Sequence, residues 1–447
     1  MASKLLVAFS LIIATIQLLK RSYQQRISLI PPASTGSNAS RIAIWDSIDA
    51  GHDEVILPLL WTLQNLGIPT SLYHDSFRPG SRQALAAWYK GEVFEYDSFL
   101  SEDMSQFHTI LLSTGDLDTA SLLEQDILEQ YPHLRVLTIA HYLINWDIRF
   151  ARHLEFLGKK KPAISSHALS KVADYVQAKR WQFLVHSSHV AESLKVNYEL
   201  YSGHQLEEDI LRELIHVFVP VMPVKRGQVG TDKSPKDFKA CIVGRVNHLR
   251  AYSRIIAAME RAHKLNAANW RAPKLAASKN GESAQSHQAT FVLSILGRSM
   301  RRKPYRVPRR LRGMVRELDD VADGHIGYQE FQQELQSADI VLPAFAKMQK
   351  KRYTTERASG SIPAALMARV PVLVDDVELS AYSYLEPPAY VLRKKGEDEI
   401  HAIARLRAER AHHNFTVLDE TAAWEKYEKK LYERNRQFLQ KALLRDS

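Results

Sequence analysis

The chain has very little cysteine: Cys241 is the only one in 447 residues. That excludes an intrachain disulfide and any metal site built from clustered cysteines. Cys241 lies in the apolar run Ala240-Cys241-Ile242-Val243 and reads as a buried strand residue. Other absences narrow the function classes. The first strand-like run leads into Asp46-Ser47-Ile48-Asp49-Ala50-Gly51, with no Gly-x-Gly-x-x-Gly turn, which disfavours a dinucleotide enzyme. There is no zinc-finger spacing and no interleaving of aromatic and basic residues, so nucleic acid is not an expected partner. His186, His189, His412 and His413 lack ligand-spaced carboxylates, so no metal is expected. Short-period repeats are absent too.

Long apolar runs are also missing. The nearest is 5–19, flanked by Lys4 and Lys20-Arg21, shorter than the about 20 residues that a bilayer span requires. No small-x-small cleavage site follows it. The expectation is an uncleaved signal-anchor over 1–21, placing the protein as a single-pass component of the thinner ER or Golgi membrane. Its orientation stays open. Lys20, Arg21 and Arg26 favour a cytosolic body, whereas the sequons at Asn38 and Asn414 favour a lumenal one.

What is present is an ordinary globular balance, 45% apolar and 25% charged, with a net charge of +10 that suits an anionic partner. Much of the excess is local to 298–312, which carries eight Arg and Lys and no acid. A solvated basic loop is the plain reading, and an anionic membrane surface or acidic acceptor is the sharper one. Residues 22–40, with Pro31-Pro32 and the Ser34–Ser40 tract, have the composition of a stem. From 41 onward, apolar runs of strand length alternate with helical patterns. They lie at 41–45, 70–73, 108–113, 134–140, 183–187 and 215–219. A break rich in Pro, Gly and Lys follows, and a second series begins at 238–243, 291–296, 339–342 and 370–374. Strand–helix alternation of this kind predicts parallel sheets covered on both faces. The expected division is an N-terminal domain over 41–220, a linker over 221–237, a C-terminal domain over 238–423 and a closing helix over 424–447.

Three constellations could carry chemistry. In the first, Gly244 directly follows a strand and is followed by Arg245 and Arg250. Glycine at a strand end lets a ligand approach the backbone, and arginine suits phosphate oxygens, although an ordinary turn with two exposed arginines would look the same. In the second, Glu356 precedes Ser359-Gly360-Ser361 at a helix start. Amides there suit phosphate and Glu356 suits a sugar hydroxyl, while a serine N-cap explains the turn equally well. The third is on the N-terminal side, where Gly51, His52 and Asp53 lie between first strand and first helix, where an acceptor or a catalytic base would sit. There Asp53 reads just as well as a helix cap. His141, just after a strand, could bond a sugar hydroxyl or be a buried structural histidine.

Taken in order, these motifs resemble the C-terminal domain of family-4-type glycosyltransferases of the GT-B fold. The series is Gly244-Arg245 with Arg250, Ile295-Leu296-Gly297, Gly327-Tyr328, Ser337 to Pro343, Glu356 to Val374, and Val391 to Ile400. It spans roughly 238–445, and the N-terminal half is similar mainly in architecture. The run from Ser359 to Asp376 also looks like an exostosin-type domain. The resemblance implies an α/β protein of two Rossmann-like domains facing each other across a cleft, behind the membrane anchor. It implies transfer of a sugar from a nucleoside-diphosphate sugar to a hydroxyl on a glycan, lipid or protein, with no cofactor. Arg245, Arg250 and the helix near Gly360 would hold the diphosphate. Glu356 matches the first glutamate of the family's Glu-x7-Glu pattern, but Ala364 replaces the second. That departure keeps a non-catalytic scaffold, or another nucleotide-sugar enzyme such as an epimerase, as alternatives.

Overall fold

The computed structural model describes residues 41–46, 53–74, 80–113, 115–141, 143, 151, 164–202, 206–222, 237–244, 246, 250–266, 270, 290–297, 305–318, 327–412 and 417–443. The expected anchor (1–21), the stem and most of 221–237 lie outside them. Among the described residues no helix is long and apolar enough to cross a membrane. This corrects the expected single-pass ER or Golgi placement. The longest helix, Val417–Leu443, has 27 residues and the length to span, but it is charged throughout.

The strands form two all-parallel sheets. In the first, β1 (Arg41–Asp46), β2 (Thr70–His74), β3 (Glu92–Glu95), β4 (Phe107–Leu112), β5 (Arg135–Ile139), β6 (Trp181–Val185) and β7 (Ile215–Val217) lie in the order β3-β2-β1-β4-β5-β6-β7. In the second, β8 (Phe238–Val243), β9 (Phe291–Leu296), β10 (Val315–Leu318), β11 (Ile340–Leu342), β12 (Val372–Val374) and β13 (Tyr390–Leu392) lie in the order β10-β9-β8-β11-β12-β13. Central strands are apolar on both sides, because helices cover both faces. In β1, for example, Ile42, Ala43, Ile44 and Trp45 are all buried, with Ala43 and Trp45 in one core and Ile42 and Ile44 in the other.

The helices that frame the site are α1 (Asp53–Asn65), α2 (Ser188–Val196), α3 (Tyr252–Leu265), α4 (Lys347–Thr355), α5 (Ser361–Met367), α6 (Asp376–Ala381), α7 (Glu399–His412) and α8 (Val417–Leu443). α1 stops at Gly67, whose φ of +71° a side chain would resist. α8 crosses between the halves. Trp424, Tyr427 and Leu431 pack in the core of the second sheet, whereas Leu439, Ala442 and Leu443 pack in that of the first. At the crossing, buried Asn435 donates to the Val219 carbonyl at 2.7 Å and accepts from the Val219 amide at 3.2 Å.

Candidate functional site at the meeting of the two strand ends

The loops at the carboxyl ends of both sheets meet. The Leu143 amide, beyond β5, donates to the Glu356 carbonyl at 3.3 Å. At the start of α2, beyond β6, Ser188 Oγ lies 2.7 Å from Ser383 Oγ and donates to the Ala381 carbonyl at 3.1 Å. His189 Nδ1 and Nε2 lie 2.9 and 3.3 Å from the carbonyls of Ala381 and Arg357. Its ring meets Tyr382 edge-on at 4.9 Å, and burial lowers its pKa.

On the C-terminal side, Gly244 follows β8 with φ +115° and Gly297 follows β9 with φ +146°. A Cβ on Gly297 would stand 2.2 Å from the Gly244 carbonyl oxygen, and a Cβ on Gly244 would stand 3.0 Å from Arg250 Nη2. Glycine is needed for conformation at both positions, and at Gly297 for space as well. Arg250 donates to the Pro343 carbonyl and lies over the rings of Phe345 (5.4 Å) and Tyr353 (5.5 Å), which stack on each other at 4.4 Å. Cation–π contact of this kind is worth about 0.5–2 kcal/mol and fixes the guanidinium plane.

Neighbouring cations are neutralised within the protein. Arg254 forks onto Glu399 at 2.7 and 2.5 Å, Lys350 pairs with Asp375, and Arg393 reaches Asp375 at 2.8 Å. Of these four basic side chains, Arg250 is the one that has no carboxylate partner among the described residues. The half-buried Glu356 carboxylate likewise has no partner among them.

The Ser359–Ser361 turn joins Arg250 through aromatic side chains. The Ser359 amide donates to Tyr382 Oη at 3.0 Å, and that hydroxyl donates to the Tyr353 carbonyl at 2.9 Å, beneath the ring that Arg250 covers. The turn itself is less open than its sequence suggests. Ser359 and Ser361 are each 1% exposed, and their hydroxyls bond each other at 2.8 Å. Gly360 is the N-cap of α5, with no side-chain cap, so neither serine fills the capping role. A Cβ there would lie 3.5 Å from Glu54 Oε1 of α1, so a carboxylate already sits at this helix start. Ala364 is 2% exposed in the core, so the place where the resemblance has a second glutamate faces no ligand.

On the N-terminal side, Asp53 is buried in the first turn of α1 and accepts from Ser81 Oγ at 2.9 Å. His141 Nε2 donates to the Ser113 carbonyl at 2.9 Å. Ser113 Oγ donates to Asp46, whose Oδ2 lies 2.8 Å from His74 Nδ1, and both of these partners are buried. His186 packs 5.2 Å from the His141 ring and donates from Nδ1 to the Phe218 carbonyl at 3.0 Å. Burial first, and His141 second, hold its pKa down to about 3, so the ring is neutral. Arg245, Gly51 and His52 lie outside the described residues. Sequence reasoning missed Asp46, His74 and Ser113, the Phe345–Tyr353 platform and the Ser188–His189 bridge. Polar residues at strand ends were the one available signal, visible in Asp46 and His74.

No protein-family model matches the chain, and no curated protein is similar to it. Solved structures are. HepE of Anabaena in complex with UDP-glucose is 12% identical, with 90% of this chain and 98% of that one covered at a TM-score of 0.49. A glycosyltransferase from Rickettsia africae is 12% identical, with 91% and 99% covered and a TM-score of 0.47. The catalytic domain of starch synthase IV from Arabidopsis thaliana is 10% identical, with 90% and 100% covered and a TM-score of 0.47.

Proposed function

We propose that this protein is a GT-B-type glycosyltransferase that moves a sugar from a nucleoside-diphosphate sugar to a hydroxyl on a glycan, lipid or protein. The observation that carries the reading is Arg250. It is held beside Gly244 at a strand end, with no carboxylate partner among the described residues, where the loops of the two halves meet. A fixed cation of this kind is preorganised for the charge that grows on a departing diphosphate. Glu356 and His141 come from opposite halves onto loops joined by the Leu143–Glu356 bond, and are assigned to sugar hydroxyls. Glu54 beside Gly360 makes the start of α5 a poor anion site, so Arg250 and the Gly244 turn carry the diphosphate. Arg245 is assigned there with it. The engaged serines shape the turn, and Gly51, His52 and Asp53 are assigned to the acceptor side.

The test is calorimetry with UDP, GDP and their sugars, followed by transfer assays on the soluble fragment from about residue 41. Nucleotide binding with transfer to a hydroxyl acceptor supports the reading. A protein that binds none of them is a scaffold. A protein that converts the donor sugar without transfer belongs with the epimerases.

A further inference from the structure

A cavity of about 210 Å³ lies at the opposite, amino end of the first sheet, where α8 closes over β5, β6 and β7. The face under α8 is apolar elsewhere: Leu137, Ile139 and Leu184 pack there with Leu439, Ala442 and Leu443. At the amino end the same face turns polar. Arg135 is two residues before Leu137, Gln182 pairs in register with Leu137, and His216 pairs with Leu184. His216 stacks on Phe438 of α8 at 5.2 Å, and its Nε2 donates to Gln182 Oε1 at 2.9 Å, which leaves the Gln182 amide as a donor group. Lys179, in the left-handed conformation with φ +57°, and Lys441 of α8 complete the wall. Among the described residues that line the cavity are the basic side chains of Arg135, Lys179 and Lys441 and the carboxylate of Glu213, 3.2 Å from Lys179.

We infer that this cavity is a second anion site, remote from the Arg250 site at the strand ends, that takes a phosphate group. Cations from two strand-leading segments and from the crossing helix converge there with an amide donor, which suits an oxyanion with several acceptor oxygens. The bound group would tie α8, which starts in the other half, to the first sheet.

The experiment titrates inorganic phosphate into the Arg250→Gln protein by calorimetry, so that the Arg250 site does not contribute. In parallel, phosphatidylcholine vesicles with and without phosphatidic acid are offered. Saturable binding of free phosphate is expected, with a rise in melting temperature. Lys441→Gln should weaken it about fivefold to tenfold, with Lys441→Arg close to the parent. Lys441 is exposed, so the variants should fold, and their melting temperatures without phosphate verify this. Absent phosphate binding, binding indifferent to Lys441→Gln, or binding only to phosphatidic acid vesicles would overturn the inference.

Discussion

The carboxyl edges of the two sheets occupy equivalent places and use polar side chains in opposite ways. On the first sheet, Asp46, His74, Ser113, His141 and His186 each contact one another or a nearby carbonyl, and Asp46 and Ser113 are fully buried. On the second, Arg250 is positioned by a carbonyl and two rings, none of which removes its charge. A polar group that is internally paired maintains structure. One that is held but not neutralised is prepared for a ligand.

Substitutions at four positions would break or sharpen this contrast. The largest effect is expected from Asp46→Ala, which leaves His74 and Ser113 without their buried acceptor. It should cost roughly 3–5 kcal/mol in urea unfolding. Arg250→Ala should cut sugar transfer by about 10²–10³-fold, equivalent to about 3–4 kcal/mol, with a near-native melting temperature, and Arg250→Lys should recover little of it. If both variants lost stability alike and transfer alike, the two edges would not differ in kind. Gly297→Ala presses a methyl group onto the Gly244 carbonyl and should lower stability by about 1–3 kcal/mol, with transfer reduced alongside, as read by denaturation and assay.

The smallest effect concerns His186. Its folded pKa, near 3, is below its ordinary value of 6.5, so the unfolded chain binds the extra proton between those limits. The stabilising contribution is full above pH 6.5 and is lost as pH falls toward 3. His186→Leu should therefore remove roughly 1 kcal/mol of the stability change between about pH 7.5 and 5.5. Urea midpoints at the two values measure it, and an unaltered pH slope would show that the ring is not buried neutral.

Legibility in the sequence followed burial. The central strands announced themselves, because a strand covered on both faces is a continuous apolar run, as in Ile110-Leu111-Leu112 and Ala240-Cys241-Ile242-Val243. Three of the four edge strands, β3, β10 and β13, were not anticipated as strands. Glu92–Glu95 is exposed or half-exposed throughout, so it carries no apolar signature, and its pairing is set by its neighbour β2. Arg250 was legible as a candidate from its spacing after Gly244. Its Phe345 and Tyr353 platform was not, since those residues are about a hundred positions away.

By itself the sequence determined the two series of alternating strands and helices, the glycine at the ends of β8 and β9, and the excess of positive charge, all of which depend on local residue type and period. Only the tertiary structure decided which charges remain available. Neutralisation depends on partners brought from distant segments: Glu399 to Arg254, Asp375 to Arg393, and no described carboxylate to Arg250. Pairing across such separations follows from how the sheets and helices pack, which no local pattern encodes.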